Sequence, residues 1–253
     1  MTLEIKNMTK AYGGLRVVDD VSITMEDNDI IGVIGPNGAG KSTLFSLVTG
    51  FLDGNSGSVT FQGKELGAAS ATVRAQAGLV RTFQVPREFS HMTVRENLMA
   101  AVPDQLGENL LNTFFRPGQV ARQEVESAAK VEETIAFLKL SAVADVPSGS
   151  LSGGQKKLLE LGRALMTGAK LIMLDEPFAG VNPVLIGELS EKIRELNARG
   201  IGFLIIEHDL GALSKLVHKM YVMDRGRLIS SGDPAAVLSD PVVREAYIGG
   251  GVT

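Results

Sequence analysis

Gly35-Pro36-Asn37-Gly38-Ala39-Gly40-Lys41-Ser42-Thr43 follows the apolar run Ile30-Ile31-Gly32-Val33-Ile34 and leads into a helical pattern from about Lys41. The nine residues fit G-x-x-x-x-G-K-[ST]. A strand that ends in a glycine-rich turn and restarts as a helix is the opening step of an α/β unit. Glycines let consecutive backbone N–H groups turn inward around a phosphate chain, and the helix N-terminus adds partial positive charge. Lys41 is then placed to reach β- and γ-phosphates, and the Ser42 hydroxyl to bind Mg²⁺. The stretch therefore predicts a P-loop in an α/β core, binding the phosphates of a nucleotide.

Working outward, residues 3–8 and 21–26 alternate as strands do, and Gly57 to Gln62 reads as another strand. Leu171-Ile172-Met173-Leu174 and Ile201 to Ile206 are short apolar runs suited to strands buried on both faces. Between them Asn182 is a helix N-cap, Pro183 the first helical residue and Gly200 the stop. Arg225-Gly226-Arg227 marks a hairpin, and Asp233-Pro234 opens a last short helix. From 88 to 157 strand signals fade. Thr93 to Ala101 and Arg122 to Leu140 read as helices, and the stretch between them, with Pro103, Gly107, Pro117 and Gly118, as loop or broken helix. The expected architecture is an α/β core (1–87 and 158–253) with an N-terminal antiparallel β subdomain and an inserted α-helical lobe (88–157).

The composition narrows the function. Among 253 residues, 25 Lys and Arg against 29 Asp and Glu give a net charge of −4, which disfavours a nucleic-acid partner. Cysteine is absent, so disulfides, thiolate metal sites and cysteine nucleophiles are excluded. No run approaches the roughly 18 apolar residues of a spanning helix, and the charged start Met1-Thr2-Leu3-Glu4-Ile5-Lys6 does not read as a signal peptide. A cytoplasmic location is expected, or a seat on a membrane through partners.

Two further segments carry chemistry. Leu171 to Leu174 ends in Asp175-Glu176, so that a strand lying in the sheet with the phosphate-loop strand delivers two carboxylates to the phosphates. Asp175 would hold Mg²⁺, directly or through water, and Glu176 would polarise the attacking water. Leu151-Ser152-Gly153-Gly154-Gln155 precedes a helical run, with Ser152 and Gln155 spaced as a capping box. The cap does not require Gly153 and Gly154, which bare the helix N-terminus as a second anion-binding surface.

With these three motifs the chain resembles the ATP-binding cassette (ABC) ATPases from about residue 3 to 249. The resemblance implies head-to-tail pairing of two subunits, with Ser152, Gly153, Gly154 and Gln155 of one covering the γ-phosphate on the other's phosphate loop. It also implies that Tyr12 stacks on adenine and that Gln84, in Thr82-Phe83-Gln84, touches Mg²⁺ and the water and links the site to a membrane partner. His208, 33 positions after Asp175, matches the family's switch histidine at the γ-phosphate. Ala179-Gly180-Val181-Asn182 occupies the loop that crosses the dimer interface. His91 and His218 match nothing and read as structural.

Arg81-Thr82-Phe83-Gln84, Met92 to Leu98, the spacer that follows, Ala179 to Pro183 and the ending Ala246-Tyr247-Ile248-Gly249 resemble cassettes of branched-chain amino-acid importers. Members of that group often have an altered signature, whereas LSGGQ is intact here. Asp175 to Val181 also resembles lipopolysaccharide-export cassettes, and urea or amide importers fall in the same group. The resemblance implies permease subunits, a second cassette, an external solute-binding protein and a position on the inner face of the cell membrane. A soluble ABC ATPase acting on DNA or ribosomes is disfavoured by the short span between Gln84 and Ser152, the single P-loop and the acidic charge.

Overall fold

The computed structural model describes residues 2–82 and 88–249. The chain divides into two compact units. The first holds 1–84, 170–179 and 186–253; the second holds 85–169 and 180–185. The sequence reading ended the lobe at 157, a point inside a single continuous helix, Gly153–Met166.

The first unit begins with β1 (Leu3–Tyr12), β2 (Leu15–Met25), β3 (Ile30–Ile34), α1 (Lys41–Val48), β4 (Ser56–Phe61), β5 (Lys64–Glu65), α2 (Ala71–Gln76) and β6 (Leu79–Arg81). β2, β1, β4 and β5 form an antiparallel sheet in that order. β1 and β2 are longer than their alternation suggests, and the reason is register. Their pairing shifts between Ile5 and Met8 and twice more before Ala11, with Asn7 and Asp20 at positive φ. Each bulge inserts a residue and inverts the in-out pattern beyond it.

The second unit contains α3 (Val94–Met99), α4 (Leu110–Phe115), α5 (Pro117–Phe137) and α6 (Gly153–Met166). α5 starts at Pro117, earlier than the expected Arg122, because proline at the first helical position lacks only an N–H that would go unpaired anyway. Thr93 caps α3 in a reciprocal box with Glu96. Asn97, fully buried, donates to the Phe89, Met92 and Thr93 carbonyls and to Ser148 Oγ, which ties the segment before α3 to the one before α6.

The chain continues with β7 (Leu171–Asp175), α7 (Pro183–Ala198), β8 (Gly202–Ile206), α8 (Leu210–Ser214), β9 (Lys219–Asp224), β10 (Arg227–Gly232), α9 (Pro234–Ser239) and α10 (Pro241–Gly249). The second sheet, in the first unit, has the order β10-β9-β3-β8-β7-β6, parallel except for β10. Every residue of β3, β7 and β8 is buried, as in a sheet covered on both faces. One apolar cluster joins Leu3, Ile5 and Ile23 of the antiparallel sheet to Phe45 of α1 and to Ile31, Met173 and Leu204 of the parallel sheet. β3, β8 and β7 are consecutive neighbours, so the segments leaving their carboxyl ends gather at one edge, where ligands of open α/β sheets bind.

Candidate functional site

Three segments leave that edge. The first, 35–43, turns from β3 into α1 around Gly35, Gly38 and Gly40, all at positive φ. Two of these glycines are enforced by neighbouring backbone. A Cβ on Gly35 would stand 2.1 Å from the Met223 carbonyl oxygen, and one on Gly40 would stand 2.3 Å from that of Val17. Gly38 faces open space. Asn37, Gly38 and Ser42 are exposed and Ala39 is buried, its N–H donating to the Pro36 carbonyl at 3.2 Å. Thr43 follows in α1, half-buried.

Lys41 is 6% exposed and lies back along its own loop, donating from Nζ to the Gly35 carbonyl at 2.7 Å and to that of Pro36 at 3.0 Å. Burial holds its pKa below the ordinary lysine value, while the charges of Glu176 and Asp175 pull the other way. The cation thus donates to neutral carbonyls; a charged acceptor such as a phosphate oxygen would roughly double the strength of each hydrogen bond.

The second segment is the end of β7. Arg81, on the adjacent β6, donates from Nη2 to Asp175 Oδ2 at 2.6 Å and from Nη1 to Ser46 Oγ at 2.9 Å, with its guanidinium over the Phe45 ring. Oδ1 of Asp175 is buried and has no hydrogen-bond partner among the described residues. A buried oxygen left so is unfavourable unless something supplies positive charge. Together with the exposed Ser42 hydroxyl it suits a hard divalent cation such as Mg²⁺, which binds through one or two protein oxygens plus phosphates and water. No cluster of three His, Cys, Asp or Glu exists among the described residues to make a dedicated cage.

Glu176 has φ +50, a left-handed conformation uncommon for a residue with a side chain. The backbone turns sharply there, with the Ala179 N–H returning to the Glu176 carbonyl. The third segment, from β8, brings His208, whose Nε2 is 2.8 Å from Glu176 Oε1.

Other expected positions are placed as follows. Tyr12 ends β1 and is 54% exposed, with the Lys10 ammonium over its ring, 5.2 Å from the centre. Gln84 lies outside the described residues. In the second unit Ser152 caps α6 in a reciprocal box with Gln155. Ser152 and Gly153 are exposed, which leaves the helix N-terminus bare. Gly154 is buried, and a Cβ there would run into the Leu185 side chain. Asn182 Oδ1 accepts from the Leu185 N–H as the cap of α7. His218 accepts from the Ile30 N–H through Nδ1 and serves the sheet. Arg81 and the buried Glu207 were not anticipated from the sequence as parts of the site.

A family model described as ABC transporter matches residues 18–179. Another, described as branched-chain amino acid ATP-binding cassette transporter, matches 227–253. A protein of Methanocaldococcus jannaschii named as a probable branched-chain amino acid transport ATP-binding protein, LivG, is 44% identical over 253 residues, 98% of this chain and 97% of its own. A lipopolysaccharide export system ATP-binding protein, LptB, of Haemophilus influenzae is 34% identical over 247 residues, 98% of this chain and 97% of its own. A crystal structure of an ATP-binding cassette of an ABC transporter, in its ADP conformation, is 41% identical, with a TM-score of 0.83 over 98% of both chains.

Proposed function

The chain belongs to the ABC transporter family, and from that premise we propose that it powers import of branched-chain or other hydrophobic amino acids across the cytoplasmic membrane. It is an ATPase of the cassette type. The observation that carries the catalytic reading is the contact of His208 with Glu176 at the edge where the Lys41 loop emerges.

In this reading the 35–43 loop wraps the phosphates, with Lys41 exchanging its carbonyl partners for the β- and γ-phosphate oxygens. Tyr12 stacks on the adenine. Glu176 accepts the proton of the attacking water as the bond from the γ-phosphorus to the bridging oxygen breaks, giving ADP and phosphate. His208 orients that carboxylate and donates to the γ-phosphate. Asp175, Ser42 and Gln84 would hold Mg²⁺, which would neutralise developing phosphate charge. Ser152, Gly153, Gly154 and Gln155 present the α6 N-terminus to the γ-phosphate held by a second cassette, either a copy of this chain or a related one. ATP then favours the closed pair and hydrolysis the open one, a population shift that membrane-spanning permease subunits convert into transport. The working location is the inner face of the cell membrane, with an external solute-binding protein delivering the amino acid.

The match of residues 227–253 to a branched-chain amino acid cassette model supports amino-acid import over lipopolysaccharide-type export. The export reading draws support from the 34% identity to LptB. Gentle solubilisation of membranes from the native cell, followed by mass spectrometry of what co-purifies with the tagged chain, separates the two. A permease with a second, different cassette and a solute receptor is expected. A permease with this cassette alone favours export, and recovery only with soluble proteins or nucleic acid overturns transport.

A further inference from the structure

Glu207 stands between the last residue of β8 and His208, 2% exposed, and has no part in the hydrolysis described above. Its carboxylate is shared by two segments. Oε1 accepts the Phe178 N–H at 2.5 Å, and Oε2 accepts the His208 N–H at 2.9 Å and the Asp209 N–H at 3.4 Å. These contacts begin where the sheet gives out. β7 and β8 pair in parallel up to Asp175 opposite Ile206, and the Glu176 N–H donates to the Ile206 carbonyl at 2.9 Å. Beyond that bond the two backbones separate. The Glu207 side chain supplies the next link across the gap, from the turn that carries Glu176 to the residue that carries the imidazole.

Both oxygens face N–H donors, so the ionised carboxylate fits where a carboxylic acid would set an O–H against an N–H. Burial pushes the pKa of Glu207 up, the three N–H groups draw it down, and the charge of Glu176 raises it further. Asp209 also caps α8 through the Ala212 N–H, so the same carboxylate anchors the start of that helix.

We propose that Glu207 is a positioning residue for hydrolysis, a carboxylate clamp that sets the separation between Glu176 and His208 by holding both backbone segments at once. The proposal rests on the reading of Glu176 and His208 as the hydrolytic pair. It leaves the 35–43 loop, the main grip on the phosphates in that reading, unchanged.

Glu207→Gln keeps the volume but offers one acceptor oxygen, so one side of the clamp opens. ATP turnover and the affinity for a fluorescent ATP analogue are measured for wild type, Glu207→Gln, Glu207→Asp, His208→Ala, Glu176→Gln and the Glu207→Gln/His208→Ala pair. Glu207→Gln should lower kcat about tenfold or more, with KM and nucleotide affinity within about twofold, since small displacements of catalytic groups cost rate steeply. In the His208→Ala background the same substitution should change kcat less than about twofold. Should Glu207→Gln lose its cooperative melting transition, Glu207→Asp, which keeps the charge on a stem too short to span both segments, must show the same selective loss of kcat. A wild-type kcat in the folded variant, equal losses in both backgrounds, or a parallel loss of nucleotide affinity overturns the clamp alone. Wild-type turnover in Glu176→Gln or His208→Ala would instead overturn the hydrolytic pair, and the clamp with it.

Discussion

His208 meets the Glu176 carboxylate at 2.8 Å, although the two residues leave different strands and Glu176 reaches the contact from a left-handed backbone conformation. An imidazole at that distance fixes the carboxylate's direction. Glu176→Gln retains the shape and the hydrogen bond but cannot take a proton. ATP turnover should fall by about 10²- to 10³-fold while ATP still binds. A closed, ATP-retaining pair should accumulate, visible by size-exclusion chromatography with ATP; turnover near wild type would refute the assignment.

Lys41 acts earlier. Its ammonium is held inside the loop by the Gly35 and Pro36 carbonyls, where phosphate oxygens would be stronger acceptors. Lys41→Ala should weaken ATP binding about 10- to 100-fold, the loss of one charge-assisted hydrogen bond worth about 1.5–3 kcal/mol. Titration with a fluorescent ATP analogue checks this, and an unchanged affinity would remove Lys41 from the phosphate site.

Asp19 braces the loop from behind. Its carboxylate takes Arg227 on one oxygen and Arg16 on the other, and the Gly226 N–H beside Arg227 donates to the Ala39 carbonyl. The hydrogen bond from Arg227, then that from Arg16, lowers its pKa below the ordinary 3.8. A carboxylate so shifted stabilises the fold above its unfolded pKa, and that contribution is lost as pH falls through the folded value. Asp19→Asn should therefore melt below wild type at pH 7, with the gap closing as pH drops beneath 3.8. A gap that is independent of pH would mean the ion pairs contribute nothing.

Two of the loop glycines, Gly38 and Gly40, should differ in cost. Gly38→Ala meets nothing within 4 Å and carries only the strain of a side chain held at φ +80, about 1–2 kcal/mol. Gly40→Ala drives a methyl into the Val17 carbonyl at φ +99 and should lower the melting temperature by clearly more. Equal melting temperatures for the two variants would show that the backbone around Gly40 yields easily.

The phosphate loop was legible in the sequence because its constraints are local: a strand, glycines at positive φ and a helix start all fall within 30–43. Asp175 and Glu176 were legible because a fully apolar run ends at them. The Ser152 capping box is local too and forms as spaced. Arg81, Asp19 and Glu207 were not legible. Each is a single polar residue in or beside a strand, and the partner that gives it its place is far away in sequence: Asp175 of β7 for Arg81, Arg227 of the β9–β10 hairpin for Asp19, and the Phe178 N–H for Glu207. Helix α5 was read late because Pro117 and Gly118 look like breakers unless the proline is recognised as a first-turn residue.

The pairing of Arg81 with Asp175 has a thermodynamic corollary. One carboxylate oxygen is tied to the last residue of β6, and the other is left for a cation. Positive charge at Oδ1 weakens the grip of Oδ2 on Arg81, and a displacement of Arg81 at the end of β6 changes in turn how well Oδ1 holds that charge. The two effects are equal in free energy, as linkage requires. A pull on this strand end and the filling of the cation position are therefore one equilibrium read from two sides, with Arg81 as its exchange point.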